Sequence, residues 1–411
     1  MQNSPNNFSL PKDTRVAVLF QRFGPYHHAR LNAAGRLMSV CGIEACGMEN
    51  TYAWDKVEGA AAFTRVTLTE RETDTCEWRQ ELRRKTWQAL DELKPQVVAV
   101  PGWSFVDALS ALEWCAASHT PAVVMSESTA WDERRTFWKE WIKTRLVKMN
   151  SAGLAGGTPH EKYLVQLGLE PERVFSGYDV VDNDYFRQQT DAARADAPNL
   201  RQKFGLPEKY FLASARFVGK KNLLCLLQAY ARYRELAQSK NDRWSFVLLG
   251  DGPLKPDLKQ LVADLKLDGC VQMPGFKQYH ELPVYFGLAG AFVHASTTEQ
   301  WGLVVNEAMA SGLPVLVSNR CGCAADLVSA GVNGFQFDPG KTDELAELLR
   351  KISAPDFPLA NFRAASRKIV SVWGPERFAT GLRDAVAVAL KYPHPRLGWL
   401  DRALLRLMLR R

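Results

Sequence analysis

Uninterrupted apolar runs, each closed by small or turn-forming residues, recur along the chain and are separated by longer amphipathic stretches. In the first half they are Arg15-Val-Ala-Val-Leu-Phe20, Gln96-Val-Val-Ala-Val-Pro101 and Pro121-Ala-Val-Val-Met-Ser126. In the second they are Tyr210-Phe-Leu-Ala-Ser-Ala215, Trp244-Ser-Phe-Val-Leu-Leu-Gly250, Gly290 to Ala295 and Leu313 to Ser318. Runs rather than alternation mark strands buried on both faces, as in parallel sheets covered by helices. One unit is spelled out in full: a strand over 291–295, a tight turn, a helix from about Gly302 that stops at Gly312, and a strand from Pro314 to Ser318, which together make a βαβ unit. The pattern predicts an α/β protein of two Rossmann-like, doubly wound domains, at 1–190 and 201–374. The polar, Ala-rich stretch from Gln188 to Asn199 reads as the linker, taken as 191–200. Two such halves on a short hinge place a ligand cleft between the facing carboxyl ends of their sheets.

The chain has 411 residues, too many for one ordinary core and suited to two domains. With 46% hydrophobic and 24% charged residues it reads as a folded soluble protein. Its polar first residues lack the order of a signal peptide and no run of apolar residues is long enough to span a bilayer, so a cytoplasmic location is expected. The 8 cysteines are scattered, as in a reducing compartment, apart from Cys321-Gly-Cys323. That pair is at most half of a metal site; with no second pair or histidine cluster it reads as small residues packing a turn, and no metal or cofactor is expected. The net charge of +7 is uneven. Arg134, Arg135, Lys139, Lys143, Arg145 and Lys148 face only Glu133 and Glu140, and Arg396, Arg402, Arg406, Arg410 and Arg411 face only Asp401. A basic balance alone suggests nucleic acid, but no aromatic-basic module for it is present.

Candidate chemistry concentrates in two strings of the second half. In Ser296-Thr-Thr-Glu-Gln-Trp-Gly-Leu-Val-Val-Asn-Glu-Ala-Met-Ala-Ser-Gly312, Glu299 sits on the turn and Glu307 one helical step of four below Leu303, so both carboxylates can face one ligand. The backbone N–H groups of Gly302, Leu303 and Val304, at the positive end of the helix dipole, form a natural seat for a phosphate. In Ser214-Ala-Arg-Phe-Val-Gly-Lys-Lys-Asn-Leu-Leu-Cys225, Arg216 and Lys221 can bring a planar guanidinium and a point-charge ammonium to the same anion. Preorganised cations of this kind stabilise a departing diphosphate more in the transition state than in the ground state.

Taken together, these strings resemble the retaining glycosyltransferases of family 4: the first matches their E-x7-E signature, and the second their Gly-Arg-x4-Lys-Asn element, with Ala215 in place of the glycine. The resemblance runs from Phe211 to Leu349. It implies the GT-B architecture, with donor bound mainly to the second domain and acceptor mainly to the first, and a C-terminal segment, 375–411, that crosses back to the first domain after Trp373-Gly-Pro375. It further implies that Arg216 and Lys221 hold the donor diphosphate, Glu299 the sugar hydroxyls and Glu307 the ribose. Leu248-Leu-Gly-Asp-Gly-Pro253 and Met273-Pro-Gly-Phe-Lys277 resemble family loops at strand ends. Gly252 would permit close backbone approach, and Phe276 or the backbone of Lys277 would meet the nucleotide base unless the aromatic is core.

The first half departs further from the family pattern. After its first strand comes Gln21-Arg-Phe-Gly-Pro-Tyr-His-His-Ala-Arg30, where Gly24 stands in the place of a glycine-rich phosphate loop. His27 and His28 serve either proton transfer or phosphate contact, or else pack and cap a helix start. Relatives carry a histidine after the fourth strand; here the run reads Val123-Val-Met-Ser-Glu-Ser128, and Glu127 is the candidate to accept the acceptor hydroxyl's proton. Asp182-Asn-Asp184 mimics a D-x-D metal motif but falls at a turn before the linker. The implied activity is transfer of a sugar from a nucleotide-sugar donor to a glycan or lipid-linked acceptor, in cell-surface polysaccharide or glycolipid synthesis. The alternatives are a nucleotide-sugar epimerase of the same architecture and a non-catalytic sugar-nucleotide-binding protein. In the two basic segments, aromatic and aliphatic residues recur at helical spacing beside lysines and arginines. Either these helices pack with a solvated basic face, or they attach the protein at an anionic membrane surface on the inner face of the cytoplasmic membrane.

Overall fold

A computed structural model describes residues 10–48, 61–73, 75–237, 243–392, 395 and 397–410. The polar first residues and the tail's Arg396 and Arg411 lie outside the described residues. The chain divides into two units, residues 1–181 with 375–411, and residues 182–374.

The first unit is built on seven parallel strands: β1 (Arg15–Phe20), β2 (Ser39–Met48), β3 (Thr64–Arg71), β4 (Val97–Pro101), β5 (Ala122–Ser126), β6 (Ala152–Ala155) and β7 (Val174–Ser176). Their order in the sheet is β3-β2-β1-β4-β5-β6-β7, so the direction of winding reverses between β1 and β4. Successive side chains of β1 feed opposite faces. Ala17 and Leu19 join a core closed by the helix Val106–Ser118, whereas Val16, Val18 and Phe20 join one closed by Leu31 and Ala34 of the helix Pro25–Gly35. The second core also takes Phe378, Leu382 and Val386 from the helix Pro375–Lys391, each such burial contributing roughly 1.5–3 kcal/mol. Gly381 makes that docking possible, since a Cβ there would stand 2.4 Å from the Ser176 carbonyl oxygen.

The second unit repeats the plan with β8 (Tyr210–Ser214), β9 (Ser245–Leu249), β10 (Val271–Gly275), β11 (Ala291–His294), β12 (Val315–Ser318) and β13 (Gly334–Phe337), all parallel in the order β10-β9-β8-β11-β12-β13. Here the reversal falls between β8 and β11. The carboxyl ends of the strands flanking such a reversal splay their loops apart, and ligands of open α/β sheets bind in the crevice so formed.

The expected linker is not a linker. Residues 188–199 lie in the helices Asn183–Ala195 and Ala197–Phe204, both within the second unit, and the division falls between Val181 and Asp182. The polar composition hides a buried stripe of Phe186, Thr190 and Ala193 at helical spacing, and Asp191 ties the helix down through Arg194 and Arg367. Asp182 does not act as half of a metal motif either: its carboxylate accepts the Tyr185 N–H at 2.9 Å and caps that helix.

The basic segments also differ from a simple charged face. Lys143 is buried against Glu133 and Glu140, Arg135 pairs with Asp132 and Glu140, and Arg145 pairs with Asp401, so much of the positive charge in and just before the helix Phe137–Val147 is neutralised by ion pairs. Ile142 and Leu146 of that helix face the core, while Phe137 and Trp138 are exposed, Trp138 by 71%. In the helix Trp399–Arg410, Leu404 and Leu405 are buried, Arg402, Arg406 and Arg410 are exposed, and Trp399 is 81% exposed. Among the described residues no helix is long and apolar enough to cross a membrane.

Gly250 is the tightest joint in the second sheet. Its φ is +127°, and a Cβ there would lie 1.8 Å from the Ala215 carbonyl oxygen. Gly250→Ala should therefore cost at least roughly 1–3 kcal/mol in urea denaturation, the scale of one strained backbone residue. Gly219→Ala, where a Cβ meets open space, should stay within about 0.5 kcal/mol of wild type.

Candidate active site

The loops that leave β8 and β11 at the reversal are stitched to each other by backbone. The Lys220 carbonyl accepts the Thr297 N–H at 2.9 Å, and Asn222, in the left-handed region at φ +57°, donates its amide to the Pro339 carbonyl at 2.9 Å before the helix Leu223–Leu236 begins. This places Lys221 directly against Glu299, the ammonium bonding Oε2 of the carboxylate, with each side chain only 13% exposed. His294, the last residue of β11, lies 3.3 Å from the same oxygen through Nε2, and the Ser296 hydroxyl donates to it at 3.2 Å. Burial opposes the ionised form of Glu299, but the His294 hydrogen bond and the Lys221 charge outweigh it and hold the carboxyl well below the usual carboxylate range. Burial lowers His294 below its ordinary value, with Lys221 adding to the effect against the pull of Glu299.

The turn carrying Glu299 is backed by the Cys-Gly-Cys segment. The Glu299 carbonyl accepts the Gly322 N–H at 3.1 Å and the Trp301 carbonyl accepts the Cys323 N–H at 3.2 Å. Cys321 and Cys323 are free, buried thiols, and burial raises both, so they pack the turn. No group that could hold a metal ion occurs among the described residues. Gly302, at φ +105°, turns the chain into the helix Leu303–Ala310, whose first residues Leu303 and Val304 are half-buried while the rest of it is buried. Trp301 donates its indole N–H to Asn306 at 2.8 Å and packs on Trp373 with ring centres 5.0 Å apart. Glu307 is 1% exposed and lies beside a stacked pair, Tyr185 and Tyr279. Burial, then the Glu307 charge, raises Tyr279 well above its ordinary value.

Arg216 follows β8 on a loop held by the Phe217 N–H donating to the Asp251 carbonyl at 2.8 Å. Gly252 was expected to let a ligand approach. What approaches closely is the chain's own backbone, since a Cβ on Gly252 would lie 2.7 Å from the Phe217 carbonyl oxygen. The glycine therefore seats the Arg216 loop. The Gly250 N–H donates to the Gly275 carbonyl at 3.0 Å, which brings the next loop alongside. On it Phe276 is 39% exposed and so not core, and the Lys277 ammonium lies 3.7 Å from Glu281 and above the Tyr285 ring.

Gly24 and Glu127 belong to the first unit. Gly24 starts the helix Pro25–Gly35, and its N–H donates to Nδ1 of His27 at 3.1 Å, so His27 is a helix cap. Burial, then Arg30, pushes that imidazole down to about 3. His28 meets Asn32 at 3.2 Å and the edge of Phe63. Gly157 and His160 repeat the cap at 3.1 Å before the helix Thr158–Gln166. Glu127, just past β5, acts electrostatically on Tyr178 and on the fully buried Asp179. Burial, then Glu127, raises Asp179 well above its ordinary value despite Arg30 at 3.7 Å. Asp107, hydrogen-bonded to Gln21, is pushed up to about 6 by burial. Sequence reasoning passed over His294, Asp179, Asp107 and His160 because each stands alone in its segment, with no spacing that signals a partner.

Residues 196–368, all but the edges of the second unit, match the family model described as glycosyl transferases group 1. Among curated proteins the chain is 34% identical over 154 residues to the alpha-monoglucosyldiacylglycerol synthase of Acholeplasma laidlawii, covering 36% of each chain. It is 29% identical over 185 residues to the alpha-D-kanosaminyltransferase of Streptomyces kanamyceticus, covering 45% of this chain and 46% of that protein. The chain thus spans less than half the length of these curated relatives. Among solved structures, a glycosyltransferase from Rickettsia africae superposes with a TM-score of 0.68 at 14% identity, over 89% of this chain and 96% of that one. HepE of Anabaena, in complex with UDP-glucose, gives 0.66 at 19% identity, over 90% of this chain and 97% of its own. At these identities the likeness establishes the fold: two Rossmann-like domains of the GT-B glycosyltransferase architecture.

Because the folded-state pKa of Glu299 is depressed, its ion pair stabilises the protein fully above the ordinary carboxylate range, and that contribution shrinks as pH falls below this range and is lost as pH falls through the depressed folded-state value. Glu299→Gln should be less stable than wild type at pH 7 by about 1–3 kcal/mol, the cost of leaving buried partners unsatisfied. Denaturation at pH 3 should show a smaller difference.

Proposed function

We propose that this chain is a retaining glycosyltransferase of family 4 type, moving a sugar from a nucleotide-sugar donor to a glycan or lipid-linked acceptor in cell-surface polysaccharide or glycolipid synthesis. The observation that carries this reading is the Lys221–Glu299 contact at the β8/β11 reversal, with Arg216 on the same loop as the lysine and an open helix start one turn from the glutamate. A cation and a carboxylate side by side suit the two halves of such a donor. Arg216 and Lys221 take the diphosphate together with the N–H groups of Gly302 to Val304, and Glu299 accepts from sugar hydroxyls. Glu307, buried farther along the helix, takes the ribose, and Phe276 takes the base. The match of 196–368 to the group 1 model supports donor use, and the glycolipid product in the name of the Acholeplasma relative supports the acceptor class.

In this reading the bond from the anomeric carbon to the diphosphate oxygen breaks with its electron pair leaving on that oxygen, where the two cations stabilise it. The acceptor oxygen bonds to the anomeric carbon from the same face. Its proton passes to the departing phosphate oxygen or to a carboxylate base, the role for which the sequence offers Glu127. No step draws on a metal ion. The first unit also carries the proposed membrane surface. The exposed Phe137 and Trp138 lie on one helix and Trp399 with the row Arg402, Arg406 and Arg410 on another, and the Arg145–Asp401 ion pair joins the two helices. Aromatic rings beside basic residues suit peripheral attachment at an anionic, cytoplasmic leaflet.

A panel of UDP-, GDP- and ADP-sugars tests the reading, first by thermal shift and then by turnover with and without EDTA. One donor should stabilise the protein and be turned over in chelator. Arg216→Ala and Lys221→Ala should each lower turnover by about 10²–10³-fold while the protein stays folded. Near-normal turnover in both variants refutes the assignment, and conversion of the donor's sugar without acceptor would point to an epimerase instead.

For the membrane surface, the protein should co-sediment with vesicles containing anionic lipid and be released by high salt. Replacing Trp138 and Trp399 by Ser should weaken sedimentation. Equal recovery in the supernatant with anionic, neutral and no vesicles removes the membrane from the account.

A further inference from the structure

His294 stands where the fold asks for an apolar residue. It ends a strand whose other side chains, Ala291, Phe292 and Val293, are all buried and apolar, and it is itself only 3% exposed. Its ring lies parallel to that of Phe292, with centres 6.3 Å apart, and a Cβ on Gly302 would come within 3.5 Å of its Nε2. Burying an imidazole in such a place is costly unless its polar atoms find partners. Here they do. Nε2 is 3.3 Å from Glu299 Oε2 and 3.3 Å from the Ser296 hydroxyl oxygen, and that hydroxyl donates in turn to the same carboxylate oxygen. A neutral ring protonated at Nε2 satisfies all three contacts at once, donating toward both oxygens.

Three donors, Lys221, His294 and Ser296, therefore converge on Oε2, and none of them uses Oε1. In the reading proposed above, on which this step rests, Lys221 must turn from Glu299 toward the diphosphate when donor binds. A buried carboxylate that loses its only partner is strongly destabilised and would swing or take up a proton. We infer that His294, with Ser296, is the positioning pair that keeps the Glu299 carboxylate ionised and oriented toward the donor sugar once Lys221 has left it for the diphosphate. The strand end supplies a rigid mount for this pair, so Glu299 is aimed by the sheet and not by its turn.

The test uses the full chain and whichever donor of the panel the wild type turns over. His294→Leu removes the donor group at nearly constant volume, His294→Gln places an amide nitrogen near the position of Nε2, and Ser296→Ala removes the second donor. The expected results are a fall in kcat of about 10–10²-fold for His294→Leu and a smaller one for Ser296→Ala. His294→Gln should recover most of the activity. Affinity for the nucleoside diphosphate product, read by calorimetry, should stay within about threefold in all three, because Lys221 and Arg216 are intact. Thermal melting identifies any variant that fails to fold. Full activity in His294→Leu overturns the inference, as does equal impairment of the Leu and Gln variants or a loss of diphosphate affinity parallel to the loss of kcat. Should the wild type turn over no donor in the panel, the functional reading falls first and the inference with it; a turning-over wild type with an indifferent His294→Leu sinks the inference alone.

Discussion

The contact between Lys221 and Glu299 joins groups 78 residues apart in sequence, and most of the second unit's architecture is spent on making it possible. It needs β8 beside β11, which only the reversal in strand order provides. It needs the left-handed Asn222 and Gly302 to turn the chain sharply on either side. It needs the Cys321–Cys323 segment as a backing for the turn, and the close fit of Gly250 and Gly252 against residues 215–217 to hold the arginine loop in place. Each device is a backbone constraint, so the charged groups themselves are placed with little freedom and their attraction pays no large ordering cost.

Glu299 of the second unit is treated differently from Asp179 and Asp107 of the first. In the second, the His294 hydrogen bond and the Lys221 charge outweigh burial and favour the ionised form of Glu299. In the first, burial wins: Asp179 and Asp107 are pushed upward, and the guanidinium of Arg30 spends its hydrogen bonds on the Val180 carbonyl, at 3.1 and 3.2 Å, so that Asp179 has its charge but no direct donor. Glu299 is thus a fixed negative charge beside a fixed positive one, whereas burial favours the protonated form of Asp179 and shifts Asp107 in the same direction.

Strands buried on both faces, such as β1, β4, β5, β8, β9, β11 and β12, are legible in the sequence as apolar runs because their residues, apart from some at the ends, are all buried. Others are hidden by their own chemistry. Glu44 interrupts β2, yet it is fully buried there, accepting from the Phe23 N–H, Arg65 and Thr67. β3 and β10 are edge strands of mixed polarity, β10 with a proline, β6 is Ala-Gly-Leu-Ala with only one large apolar residue, and β7 has only three residues. The stretch from Gln188 to Asn199 reads as a linker because the polar face of the helix Asn183–Ala195 dominates its composition, while Phe186, Thr190 and Ala193 carry the packing of that helix. Arg216, Lys221, Glu299 and Glu307 are legible through resemblance to a family pattern. His294 and Asp179 are not, since a lone polar residue in an apolar setting reveals its purpose only when its neighbours in space are known. Gly252 is legible as a close-approach position but not as to what approaches it.

The helix Pro375–Lys391 lies far along the chain, yet its Phe378, Leu382 and Val386 complete a core begun by β1. The second unit, by contrast, is continuous in sequence. During synthesis from the N-terminus, the strands of the first unit therefore emerge with one face of their sheet covered only in part, by the helix Pro25–Gly35, and that core is completed only after the whole second unit has been made. The unit synthesised later is thus the one whose own core is complete first, and the earlier unit closes last, through a helix made after everything in the second.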